Sequence, residues 1–208
     1  MKKRRLLSIT MKIYDISQEL FSCVVFPGDP APVRERISSM EEGALYNLTA
    51  LSLCAHNGTH IDAPYHFIKD GKTVEQLPLS KTVGWAYVVH EDGLLFAEDA
   101  RRILKDATSV NPEAAKRILL GGSVTVTEEA AQVFAEAGID LVGNESQTVG
   151  PEDAPMQVHL TLLSREVVLL EGIRLGDVPK GVYLLSAAPI SLAGSDGAPC
   201  RAILISLE

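Results

Sequence analysis

Three of the five histidines in this 208-residue sequence fall within eleven residues, in the run His56-Asn57-Gly58-Thr59-His60-Ile61-Asp62-Ala63-Pro64-Tyr65-His66. Neutral imidazole and carboxylate are the usual ligands of zinc, manganese and related divalent ions. The chemistry this run could support is therefore metal binding and metal-assisted hydrolysis. On a straight strand His56, His60 and Asp62 would share a face, but His56 and His60 would stand about 13 Å apart at ~3.3 Å per residue. Two imidazoles cannot meet one ion at about 2.0–2.1 Å from such positions. The chain must curl, and Gly58 permits it. Gly58 and Pro64 argue against a helix, so the segment reads as a strand end folding into a loop. Asn57, Thr59 and Ser52 are close in sequence and could orient a ligand ring, or equally bond the local backbone.

A second set lies further on. Residues 167–170 read as a buried strand with Glu171 at its C-terminal end beside Gly172, and His159 precedes them. An acid after four apolar residues is often only the place where a strand meets water, so spacing alone leaves Glu171 and His159 open. His90 reads as structural. Cys23, Cys54 and Cys200 are odd in number and widely spaced, which suits small buried thiols in a reducing compartment rather than a disulfide framework. Cys54 is singled out by lying two residues before His56.

The elements that must position these groups read as follows. Strands are expected at 12–17, at 47–55 entering the histidine-rich run, and at 83–90. Shorter apolar runs at 117–120, 141–142, 167–170, 182–185 and 202–207 fit buried strands. Residues 24–32 carry three prolines and a glycine and break regular structure. Helices are expected at 98–107 and at 127–137, the second with Thr127 as N-cap and Gly138 as stop. The class is α/β or α+β with a substantial sheet. Residues 1–10 read as a disordered extension and 11–208 as a single domain.

A net charge of -8 argues against a nucleic-acid partner, which needs clustered Lys and Arg. The one basic run, Lys2-Lys3-Arg4-Arg5, reads as a solvated tail. The four residues after it are too few for the apolar region of a secretion signal, and no stretch approaches the ~20 apolar residues of a membrane span. A cytoplasmic protein without a nucleic-acid or membrane partner is expected.

The run His56-x-Gly58-Thr59-His60-x-Asp62-x-Pro64-x-His66 resembles the signature of the cyclase family of metal hydrolases, which includes bacterial kynurenine formamidases and, more distantly, isatin hydrolases. Tyr14-Asp15-Ile16-Ser17, Pro27-Gly28-Asp29, Leu170-Glu171-Gly172 and the run Ser195-Asp196-Gly197-Ala198-Pro199-Cys200-Arg201-Ala202 support the resemblance. It implies an α/β, swivelling β/β/α fold and a homo-oligomer, dimer or tetramer. It implies that His56 and His60 hold one metal, that Asp62 bridges two, and that His159 and Glu171 complete the set with Glu171 also bridging. Two Zn2+ ions per subunit are implied, with Mn2+ as the alternative. His66 resembles the proton-transfer residue; in single-metal members this histidine binds the metal instead. The implied reaction is hydrolysis of N-formylkynurenine to kynurenine and formate, a step of tryptophan catabolism.

Three readings stay beside it: hydrolysis of another small cyclic amide or lactone, a dehydrating cyclase, and a non-catalytic module that binds a metal or small molecule. A retained His66 speaks against the last. The sequence departs from the formamidase pattern in two regions. Phe26 stands where a tryptophan precedes Pro-Gly-Asp, and it can still stack on an aromatic substrate without the indole N–H. Gly143-Asn144-Glu145-Ser146-Gln147-Thr148 replaces a Gly-x-Asp-x-x-Ser segment, and the connection after Leu120 is short, with Gly121-Gly122 leading directly to the helix expected from Thr127.

Overall fold

Side-chain alternation along each strand assigns the residues of one central sheet to two apolar layers, and that division places the site. In the computed structural model, which describes residues 10–207, the strands are β1 (Met11–Asp15), β2 (Val33–Ser38), β3 (Leu48–Ser52), β4 (His60–Asp62), β5 (Val83–His90), β6 (Gly93–Leu95), β7 (Arg117–Gly121), β8 (Val124–Val126), β9 (Leu141–Asn144), β10 (Val168–Glu171), β11 (Gly181–Ser186), β12 (Gly197–Pro199) and β13 (Ile203–Leu207). The α-helices are α1 (Ala97–Val110), α2 (Glu128–Ala137) and α3 (Met156–Leu163). The expected N-terminal extension falls, apart from Thr10, outside the described residues.

Nine strands form one mixed sheet in the order β1-β13-β11-β5-β7-β9-β10-β4-β12. Its centre, β5-β7-β9-β10, is parallel, as crossover helices require. Both flanks are antiparallel, with β11 on β5 and β4 on β10. Separate ribbons pair β2 with β3 and β6 with β8. The fold is the swivelling β/β/α architecture.

Period-2 alternation explains the two layers. Val89, Ile118, Leu120, Val142 and Leu169 face the three helices, where they meet Ile103, Phe134 and Leu162. Val88, Leu119, Leu141, Leu170 and Ile61 face the opposite core with Ile16 and Leu185. Thr127 Oγ1 accepts the Ala130 N–H at 3.3 Å and Gly138 closes α2 in the left-handed region at φ 64, as the sequence predicts.

Three expectations need correction. The strand read at 47–55 ends at Ser52 and pairs with β2 rather than running into the main sheet. An unforeseen helix, α3, carries His159. The connection after Leu120 does not pass straight to α2, because β8 intervenes and pairs with β6.

Candidate metal centre and active site

β4 has three residues and two neighbours. Glu171 on β10 lies opposite His60, and Gly197 on β12 lies opposite Asp62. Cross-strand partners share a face, so His60, Asp62 and Glu171 all point to the helix side, where α3 delivers His159. The curl expected at Gly58 is present. This residue has φ +67, and residues 54–58 turn back so that the His56 ring centroid lies 5.1 Å from that of His60.

Asn57 and Thr59 hold this turn but touch no imidazole. Asn57 accepts from Cys54 N at 2.8 Å and donates to Pro30 O, while Thr59 Oγ1 donates to Gly172 O at 2.7 Å. Ser52 is exposed on β3, away from the expected orienting role. His90 is structural, bonded to Val178 O at 2.7 Å. The three thiols are free and only half-buried, and Cys54 joins no candidate metal group.

Five donors converge. Asp62 Oδ1 is 2.8 Å from His56 Nδ1 and 3.4 Å from His60 Nε2, and Asp62 Oδ2 is 3.6 Å from His159 Nε2. Glu171 repeats the pattern, with Oε2 3.6 Å from His60 Nε2 and Oε1 3.4 Å from His159 Nε2. Each carboxylate thus turns one oxygen toward His60 and the other toward His159. Two ligands held at ~2.1 Å by one tetrahedral ion stand about 3.4 Å apart, which is the spacing seen.

The ring orientations suit ligation as well. His60 donates Nδ1–H to Gly58 O at 3.0 Å and His159 donates Nδ1–H to Pro155 O at 2.8 Å, so both Nε2 atoms point into the cluster. His60 Nε2 and Asp62 Oδ2 are buried and have no hydrogen-bond partner. Each such orphan costs about 1–3 kcal/mol. A divalent cation among these donors would satisfy both, so the residues fit a metal.

Without a cation, protons take its place. Burial alone would lower the His56 pKa, but hydrogen bonds to Asp196 and Asp62 outweigh it and raise the value to about 11. His60 is raised to about 9 against burial by Asp62 and Glu171, and His159 to about 8, chiefly by Glu171. Burial pushes the Asp62 carboxyl up, yet His56 and His60 hold it well below the usual carboxylate range.

Above the cluster opens a pocket lined by Phe26, His66, Phe67, Gln147, Thr148 and Pro155. His66 is about a quarter exposed, stacks on the His56 ring at 4.1 Å, and reaches Asp196 Oδ2 through Nδ1 at 3.3 Å. The structure thus brings together the residues to which the family resemblance gave a site role: His56, His60, Asp62, His159 and Glu171 in the cluster, and His66 and Phe26 at its mouth. Gln147 and Thr148 show that the divergent 143–148 segment does line the pocket, whereas residues 121–126 do not. Sequence reasoning missed Phe67 and Asp196; Asp196 stood in a quoted motif without a role.

Fold and donor cluster define the class, an α/β metal-dependent hydrolase. The cyclase family profile matches residues 8–151, and the chain belongs to that family. It is 32% identical over 207 residues to a kynurenine formamidase of Erythrobacter litoralis, covering 94% of each chain. It is 34% identical over 209 residues to a kynurenine formamidase of Salinibacter ruber, covering 93% of this chain and 97% of that one. A solved structure described as a potential metal-dependent hydrolase with cyclase activity superposes with a TM-score of 0.78 at 28% identity, covering 96% of this chain and all of the other.

Proposed function

We propose that this chain is an arylformamidase that hydrolyses N-formylkynurenine to kynurenine and formate, using divalent metal held by His56, His60, Asp62, His159 and Glu171. The observation that carries the reading is the convergence of these five side chains beneath a pocket walled by Phe26 and Phe67. The near-full-length likeness to two kynurenine formamidases supports the substrate. Two ions per subunit are favoured, because Asp62 and Glu171 each present one oxygen to either side of the cluster. Zinc is the first choice for a mixed imidazole–carboxylate set, and manganese is the alternative.

Divalent metal bound there would supply Lewis acidity and a water made acidic at neutral pH. The protein does the rest. Phe26 and Phe67 offer apolar faces on which an aryl ring can lie. His66 takes the proton of the attacking water and returns it to the departing aryl amine, with the C–N bond breaking and formate leaving. Asp62 and Glu171 would help hold such metal and offset its charge, and Val149 N–H, 2.7 Å from Glu171 Oε1, fixes that carboxylate.

The chain is further proposed to act in the cytoplasm as a homo-oligomer. Its free thiols suit a reducing compartment. No helix among the described residues is long and apolar enough to cross a membrane. An isolated two-stranded ribbon is marginal alone, and β2–β3 with its loop exposes Val33, Ile37, Leu45, Tyr46 and Leu51, apolar area that a second copy would cover.

The test is hydrolysis of N-formylkynurenine by purified protein as isolated, after chelation, and after zinc or manganese is added back. Activity that vanishes with chelator and returns with metal supports the proposal. Metal-loaded protein that leaves this substrate untouched refutes the arylformamidase assignment.

A further inference from the structure

Asp196 belongs to no ligand set, yet one of its oxygens touches both histidines at the mouth of the cluster. Oδ2 lies 2.9 Å from His56 Nε2 and 3.3 Å from His66 Nδ1. The backbone presenting it is pinned on both sides. Asp196 O accepts from Ala63 N at 2.9 Å, Ser195 O accepts from Val74 N at 2.9 Å, and Ser195 Oγ donates to Gly197 O at 2.7 Å. Asp196 is part-exposed to solvent, so its carboxyl is ionised at neutral pH like an ordinary aspartate and can only accept at these contacts.

The consequence is a fixed pair of tautomers. An acceptor at both contacts requires hydrogen on His56 Nε2 and on His66 Nδ1. For His56 this leaves Nδ1, 2.8 Å from Asp62 Oδ1, as the nitrogen facing the donor cluster, the one whose hydrogen a bound cation would displace. For His66 it leaves Nε2 with the lone pair that a proton acceptor needs. The His66 ring cannot readily turn away, being stacked on His56 at 4.1 Å and set edge-on to Phe67 at 4.5 Å. His60 and His159 take their orientation from backbone carbonyls; only His56 and His66 take theirs from an ionised side chain, and they share it.

We propose that Asp196 is a positioning residue whose single carboxylate oxygen sets the tautomers of His56 and His66 together, tying the ring that faces the metal to the ring that moves the proton. This rests on the reading of His66 as the proton carrier. It does not depend on which substrate is cleaved.

The experiment uses the full-length, zinc-loaded chain with 15N-labelled histidine, in wild type and in Asp196→Asn and Asp196→Ala. Imidazole 15N spectra, zinc content and kcat against pH are read for each. The expected wild-type spectrum shows His66 protonated on Nδ1; in Asp196→Ala that preference is lost or reversed. Zinc binding weakens by roughly 10- to 100-fold but is restored by excess metal, and kcat at saturating zinc stays on the order of 10²-fold down with a shifted pH profile. Asp196→Asn keeps the volume and removes the charge, so it should show the same direction if Asp196→Ala folds poorly. A His66 tautomer identical in wild type and both variants overturns the proposal whatever the activity. A shifted tautomer in a protein inert toward N-formylkynurenine upholds it and refutes only the substrate assignment.

Discussion

Glu171 stands directly across the strand pair from His60, their side chains 3.6 Å apart on the helix-facing side of the sheet. Two residues more than a hundred positions apart become ligand candidates for one site through a three-residue register. Asp62 joins them by being two residues from His60 on the same face.

Asp62→Asn should therefore strike metal and turnover together. Asp62 is fully buried and faces three imidazoles, so removing its charge leaves them without their common partner. Metal content by elemental analysis and formamide hydrolysis should fall in parallel. A fully metallated, active Asp62→Asn would refute its place in the site.

His66→Ala should separate the two properties. His66 lies at the pocket mouth with a ring nitrogen within 4.8 Å of the donor atoms of His56 and Asp62, but its hydrogen bond goes to Asp196. Bound metal should stay near wild type while kcat drops by roughly 10²–10⁴-fold. If metal is lost as well, His66 is a ligand and not a proton carrier.

Phe26→Ala should act on substrate binding. A lost aromatic contact of about 1–1.5 kcal/mol corresponds to roughly a tenfold rise in KM with kcat little changed. Steady-state kinetics decide this, and unaltered KM would make Phe26 an ordinary wall residue.

Metal uptake should release protons. The metal-free pKa values of about 11, 9 and 8 for His56, His60 and His159 mean that all three carry protons at pH 7, whereas a ligating nitrogen must be deprotonated. Apparent metal affinity should rise with pH from 7 upward, and calorimetry in buffers of different ionisation enthalpy should count the protons expelled. The same raised values add stability to the metal-free protein that is complete below about pH 6.5 and fades as pH climbs through about 8 to 11. The metal-free melting temperature should therefore fall between pH 7 and 10, and that of the metal-loaded protein should fall less.

What the sequence disclosed follows from distance along the chain. His56, His60, Asp62 and His66 were legible because their chemistry is concentrated in one eleven-residue run whose glycine announces the curl. β5, β7, β9, β10, β11 and β13 were legible because each is a short apolar run of buried-strand length. The helix bearing His159 was not, since Met156–Leu163 is a short apolar segment that periodicity alone does not separate from a strand. Asp196 escaped for another reason: its partner His56 is 140 residues away, and only the β4–β12 pairing brings them together. Residues 47–55 misled because β3 looks like an entry strand while its partner β2 is charge-rich, with Arg34-Glu35-Arg36 exposed.

The alternation of β4 has a bearing on how such a protein avoids misfolding. Ile61 sits in the apolar core with no exposure, between two polar neighbours that face the other way. Sliding the strand by one residue would exchange them, driving an imidazole and a carboxylate into hydrocarbon and turning a bare isoleucine toward the histidines. The chain therefore needs no ion to tell right pairing from wrong; oil and water make that choice while the sheet closes, and the socket arrives already shaped.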